Sequence, residues 1–217
     1  PGGAPVQCGL IARRIRETAD KRNIPVIAFA EDVAASGGYW LALAADDIYA
    51  DTASIVGSIG VISAGFGFPA LLERYGIERR VHTTGAAKGM LDPFRPEVPE
   101  DVARLAAIQA DILAAFRDLV RARRGARLKG AEDELFSGAI WSGREALALG
   151  LIDGIGDLRT VMRARFGDEV AFRSVGVRRT LLQRRLGLFA PHPDAGEIAA
   201  ELIAAVEDWA LWKRFGL

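Results

Sequence analysis

The chain has 217 residues, with 28 Lys+Arg against 28 Asp+Glu, so its formal net charge is zero. That length suits one domain, with or without a tail, and buries a sizeable core. Neutrality argues against a nucleic-acid binder that relies on a global positive field, and a 50% hydrophobic composition excludes a disordered or collagen-like chain.

Cys8 is the one cysteine, and His82 and His192 are the two histidines. An intrachain disulfide, a Cys-based metal site and a multi-histidine site are therefore excluded. The chain opens on Pro1-Gly2-Gly3 rather than Met, which reads as the cut start of a longer protein. No basic stretch followed by an apolar one marks a leader, so a membrane anchor is expected in a segment preceding Pro1.

Leu10, Ile11, Ile15 and Ala19 recur at helical spacing among charged residues, which predicts an amphipathic helix ending near Arg22-Asn23. Val26 to Ala30 is a short apolar run, expected as a strand buried on both faces. Val33 to Tyr39 reads as a turn entering a buried helix over 40–45, and Ile48 to Ala50 as another short strand. Ile55 to Ile62 is β-branched and punctuated by glycine, which suggests a tight turn or short helix and then a strand. The uncharged stretch from Thr52 to Leu72 is long enough to span a membrane, but Gly57, Gly60, Gly65, Gly67 and Pro69 make it core plus loops.

A short helix over 69–75 stops at Gly76, a strand is expected over 78–83, and a loop rich in Gly and Pro fills 84–99. Residues 100–124 form a long helix with Val102, Leu105, Ile112, Phe116 and Val120 on its apolar side. The cluster Arg121, Arg123, Arg124, Arg127 and Lys129 is read as the solvated, dipole-matched end of that helix rather than a nucleic-acid patch. Ser142-x-x-Glu145 is a capping box, Leu151 to Asp153 a short strand, and Asp157 the cap of a helix reaching Phe166. Strands alternating with helices imply an α/β fold with a largely parallel sheet. From Arg178 the chain changes character, with a break at Pro191 and Pro193. A last helix over 194–215 carries Ile198, Leu202, Val206, Trp209, Trp212 and Phe215 on one face, as an oligomer or membrane-surface contact would.

Neither a phosphate-binding GxxxxGK[ST] nor a GxGxxG opening a helix is present. Ser36-Gly37-Gly38 at the start of a buried helix has a chemical rationale. The Ser36 hydroxyl would lie beside backbone donors, with the Gly37 N–H first among them to stabilise an oxyanion. The segment is similar to a GxSxG elbow with Ala34 in place of the first glycine; the plainer alternative is that Ser36 only caps the helix. A nucleophilic serine needs a base. Both histidines are poorly placed in the sequence. Lys88, in the loop Gly85-Ala86-Ala87-Lys88-Gly89, fits the Ser-Lys variant of this chemistry or is a plain loop lysine. An ordinary lysine titrates near 10.4, leaving roughly one in 2,500 neutral at pH 7, so a lysine base needs an apolar setting. Met90, Leu91 and Phe94 follow Lys88 and are candidates to provide it.

Taken in order, Pro1-Gly2-Gly3, Ala34-Ala35-Ser36-Gly37-Gly38-Tyr39, Gly57-Ser58-Ile59-Gly60-Val61 and Gly85-x-x-Lys88 resemble the signal peptide peptidase A / SohB family of bacterial serine peptidases. Trp141 to Leu147 and Gly150 to Gly156 match its downstream pattern, and the resemblance covers about Pro1 to Phe166. It implies a Clp-protease/crotonase-like fold of repeated ββα units, here lacking its first N-terminal strands. With the change of character at Arg178, this gives an expected peptidase domain over 1–177 and a helical tail over 178–217. Carried over by motif, Ser36 is the nucleophile, Lys88 the general base, Ser58 the serine that orients the lysine, and Gly3 with Gly37 the oxyanion hole. The family implies no cofactor and no metal, a homo-oligomer, association with the bacterial inner membrane, and peptide substrates such as cleaved signal peptides; the apolar setting that a lysine base needs predicts small or apolar residues near the cleaved bond. A crotonase-like acyl-CoA enzyme and an inactive scaffold of the same fold are the competing expectations.

Overall fold

The structure is a computed structural model that describes residues 1–85 and 87–175. The expected tail, its helix and His192 lie outside the described residues. Pro5, whose missing N–H is harmless in a first turn, opens α1 (Pro5–Arg22). Asn23 closes it in the left-handed conformation at φ 51°, its N–H donating to the Ala19 and Asp20 carbonyls. The buried side of α1 is Cys8, Ala12 and Ala19, whereas Leu10 and Ile11 of the expected apolar face are exposed. Small residues win because α1 lies close on α2 (Gly37–Ala42): a β-carbon at Gly37 would stand 2.8 Å from the Cys8 sulfur.

Two successive ββα units follow. The first is β1 (Ile27–Ala30), β2 (Val33–Ala35) and α2; the second is β3 (Asp47–Ala50), β4 (Ile55–Gly57) and α3 (Pro69–Arg74). The first strands of the units share one sheet and the second strands another. The sheet orders are β1-β3-β6, with β6 at Gly154–Ile155, and β2-β4-β5, with β5 at Ile140–Ser142. All pairs are parallel except β4 with β5. This is the repeated ββα, largely parallel α/β plan expected of a Clp-protease/crotonase-like fold.

The local expectations fared unevenly. Val33–Ala35 is a strand, not part of a turn, and Ile55–Gly57 pairs before its turn rather than after it. The strand expected over 78–83 is unpaired and exposed, and that expected at 151–153 forms one step later, at Gly154. Helix signals held better. The long helix is α4 (Pro99–Arg124), and the Ser142 capping box opens α6 (Gly143–Ala148). Asp157 accepts from the Arg159 and Thr160 N–H groups at the start of α7 (Leu158–Phe166). Between α4 and β5 lie a 3-10 turn (Gly125–Arg127) and α5 (Glu132–Leu135).

The core joins both sheets to α2 and α4 through Tyr39, Leu43, Ile48, Val56, Phe116 and Val120, with Trp40 stacked on Phe116 at 4.7 Å. Each fully buried Leu or Ile contributes about 1.5–3 kcal/mol. At the end of α4, Arg121, Arg127 and Lys129 are exposed as expected, but Arg123 and Arg124 correct the sequence reading, for they are not solvated. Arg124 is 3% exposed; its Nε donates to the Gly150 carbonyl (2.9 Å) and its two Nη atoms to Asp153 (2.7 and 3.0 Å). Arg123 donates to the Leu43 and Ala45 carbonyls, both at 2.7 Å. These guanidinium groups satisfy carbonyls where the chain leaves α2 and α6, and so fasten α4 to the sheets.

Candidate active site

Strands β2 and β4 lie parallel with Ala35 opposite Gly57. The next residue of each strand, Ser36 and Ser58, therefore leaves the same end of the sheet at the same level. The carboxyl ends of parallel strands are where open α/β sheets place their ligand sites. Both serines turn sharply. Ser36 has φ 53° and ψ −120° between β2 and α2, and Ser58 has φ 52°. Such a conformation costs a non-glycine residue about 1–3 kcal/mol and persists only when its surroundings hold it. Here the Ser36 N–H donates to the Gly57 carbonyl (2.8 Å), and the Ser58 N–H donates to the Ala139 carbonyl (2.7 Å). A strand, a strained serine and a helix together present a hydroxyl at a sharp corner, the geometry of a nucleophile elbow. Ser36 makes no side-chain hydrogen bond to α2, so it is not a side-chain cap. It is half-buried, and Ser58 is buried.

The loop before α1 closes on this corner. A β-carbon on Gly37 would stand 2.8 Å from the Gly3 nitrogen and 3.0 Å from the Gly2 carbonyl carbon. Backbone meets backbone there, and only glycine permits it. Neither the Gly3 nor the Gly37 N–H donates to a backbone carbonyl among the described residues. The structure thus brings together Ser36, Ser58, Gly3 and Gly37.

Lys88 is exposed in a turn after Gly85, with its own N–H on the Gly85 carbonyl (3.1 Å). No hydrogen bond joins its side chain to Ser36 or Ser58 among the described residues. The flap that carries it, residues 61–98, includes α3, which has no buried residue. The flap is held to itself by the Phe68 N–H on the Pro93 carbonyl (2.6 Å), by Phe68 against Phe94 (5.6 Å) and by the Arg79–Asp92 ion pair. Met90 and Leu91 are half-buried, and Phe94 is exposed. Among the described residues no acidic, His and Cys grouping is placed to hold a metal ion, and no helix is long and apolar enough to cross a membrane.

Sequence reasoning passed over Trp141. Its ring lies where a β-carbon on Gly57 would be, at 2.5 Å, with the Ala139 carbonyl at 2.9 Å, and Gly57 has φ 112°. The indole, from a strand 84 positions away in sequence, seals the back of the two serine turns; no local signal reveals it. Gly57→Ala therefore meets both a clash and a forbidden φ. It is expected to lose about 3 kcal/mol of stability by urea unfolding, against under 1 kcal/mol for an Ala at exposed Gly65.

Residues 18–168 match peptidase family S49. A Brucella abortus protein named Na(+)/H(+) antiporter NhaA is 50% identical over 224 residues, a stretch that takes in all of this chain but 30% of that protein. The chloroplastic serine protease SPPA of Arabidopsis thaliana is 35% identical over 159 residues, or 73% of this chain and 23% of its own length. The chain thus spans less than a third of either relative. Among solved structures, a 1510-N membrane-bound stomatin-specific protease with a substrate peptide aligns at 20% identity and a TM-score of 0.42, over 75% of this chain and 60% of that one. The family match takes in both serine turns, the flap lysine and the downstream Trp141 to Gly156 stretch, and the chain belongs to peptidase family S49.

Proposed function

We propose that this chain is a serine-peptidase domain that cleaves peptide bonds through an acyl-enzyme on Ser36. The observation that carries the reading is the strained Ser36 corner set against the Gly3–Gly37 backbone contact. Ser36 Oγ attacks the scissile carbonyl carbon while Lys88 Nζ takes the hydroxyl proton. The carbonyl oxygen becomes an oxyanion between the Gly3 and Gly37 N–H groups. Collapse breaks the C–N bond, and the lysine returns the proton to the departing amine. A water activated by the same amine then releases the acyl group. The step needs Lys88 Nζ within hydrogen-bond reach of Ser36 Oγ, so the flap has to come down on the serine corner; such contacts are commonly loose before substrate binds. Ser58 receives and orients the amine, a role supported by its burial and its level with Ser36.

The family supports the finer reading of the substrate: cleaved signal peptides or small membrane-derived peptides, with small or apolar residues beside the bond. It also supports homo-oligomers at the bacterial inner membrane. The antiporter name of the Brucella relative belongs to a protein of which this chain matches 30%, and transport is no part of the proposal. A fluorophosphonate probe tests the reading, because it phosphonylates only an activated serine. The full-length protein is expected to be labelled on the peptide that contains Ser36, as located by mass spectrometry. A folded, intact protein that takes no label would favour an acyl-CoA enzyme or an inactive scaffold of the same fold.

A further inference from the structure

We infer that Cys8 is a positioning residue for the oxyanion hole: its thiol backs both the Gly3 and the Gly37 backbones and fixes how they sit against each other. The inference rests on the serine-peptidase reading above. Cys8 is 4% exposed on the first turns of α1. A β-carbon on Gly3 would lie 2.9 Å from its sulfur, and one on Gly37 2.8 Å. The sulfur therefore touches both segments that carry the oxyanion donors, on the side from which side chains are excluded. The Cys8 N–H donates to the Ala4 carbonyl (3.0 Å), so the turn that fixes the sulfur begins directly after Gly3.

Two donors stabilise one oxyanion only when both point at the same oxygen from about 2.7–3.1 Å. Their relative placement is set by what packs against the two backbones, and here one sulfur atom abuts both where they meet. Burial pushes the thiol above its ordinary titration range, so it acts as a neutral filler of fixed size and not as a second nucleophile. A larger side chain displaces the glycines from each other, and a smaller one leaves them without the support that fixes their angle.

The test compares wild type, Cys8→Ala, Cys8→Leu and Ser36→Ala in the full-length protein. Two quantities are read: steady-state cleavage of an apolar peptide, and affinity for a peptide boronate that forms a tetrahedral adduct on the serine. Cys8→Leu is expected to lower kcat about 100-fold, the order of losing one oxyanion donor. Its KM should stay within about twofold, and boronate affinity should fall in step with kcat. Cys8→Ala, which leaves only a small void, is expected to lose about tenfold in both. A role in packing alone lowers the melting temperature without moving either. If Cys8→Ala keeps kcat and boronate affinity within twofold of wild type, the inference is overturned, whether or not Cys8→Leu folds. Ser36→Ala separates the two ideas: if it cleaves at the wild-type rate, the serine reading has failed and the role of Cys8 falls with it.

Discussion

Ser36→Ala in the full-length protein is expected to reduce peptide cleavage to background, a loss of about a millionfold by analogy with other serine nucleophiles, and to abolish fluorophosphonate labelling. Lys88→Ala should fall nearly as far. Lys88→Arg should not rescue it, since a guanidinium does not give up its proton near neutrality. Cleavage assays on matched, folded samples decide the matter, and substantial activity in either alanine variant sinks the dyad. Ser36→Gly adds an independent check on the geometry. Ser36 sits at φ 53°, where glycine carries no steric penalty. The glycine variant should be equally inactive yet more stable than wild type by about 1 kcal/mol. A gain in stability on losing the nucleophile is the mark of strain kept for chemistry.

Arg124→Met is expected to cost as much stability as the Gly57→Ala clash. Arg124 is buried, and it supplies both hydrogen bonds of a bidentate pair to Asp153 and a third to the Gly150 carbonyl. Asp153 in turn accepts from the Ile48 N–H (2.8 Å) and Arg127 (3.0 Å). Removing one partner of such a pair costs about 3–5 kcal/mol, because the other charge stays behind without its counter-ion. Arg127 remains next to Asp153, so the lower end, about 3 kcal/mol in urea unfolding, is expected. The pH dependence follows. Burial alone would raise the Asp153 carboxyl, but the hydrogen bonds from Arg124 and Ile48 and the charges of Arg124 and Arg127 outweigh it and hold the carboxyl below its ordinary value. Its contribution is therefore complete above the unfolded value, about pH 4, and is lost as pH falls through the lower folded value. Between pH 6 and pH 3 wild type should lose stability more steeply than Arg124→Met. Parallel curves would show that the pair contributes no acid-sensitive stability.

What the sequence disclosed, and what it did not, follows the reach of each interaction. The Asn23 helix stop, the Ser142 capping box and the Asp157 cap involve partners within a few residues, and each was legible. Three-residue strands such as Val33–Ala35 and Ile140–Ser142 exist only because β4 lies between them, so no local pattern announces them. Arg124 reads as one of a run of surface charges because Asp153 is 29 positions away. The α1 face was misread because close packing on α2 favours Cys8 and Ala12 over the bulkier Leu10 and Ile11. At the site, Ser36, Gly37 and Ser58 were legible from turn chemistry and family resemblance together. The Cys8 contact with Gly37 and the Trp141 ring against Gly57 were not, since each is made across a long stretch of chain.

The two halves of the proposed dyad lie in parts of the molecule with very different mechanical support. Ser36 is tied by its own amide to the middle strand of a sheet in which Ala35 and Val56 are fully buried, so its amide hydrogen is expected among the slowest to exchange. The lysine flap is largely exposed and is held by a few contacts of its own, which puts its opening at the low-energy end of the same scale. Under the proposed chemistry, warming silences the enzyme by letting the flap drift before the domain melts. Loss of activity then precedes loss of structure and reverses on cooling, and whatever clamps the flap acts as a switch without touching the serine.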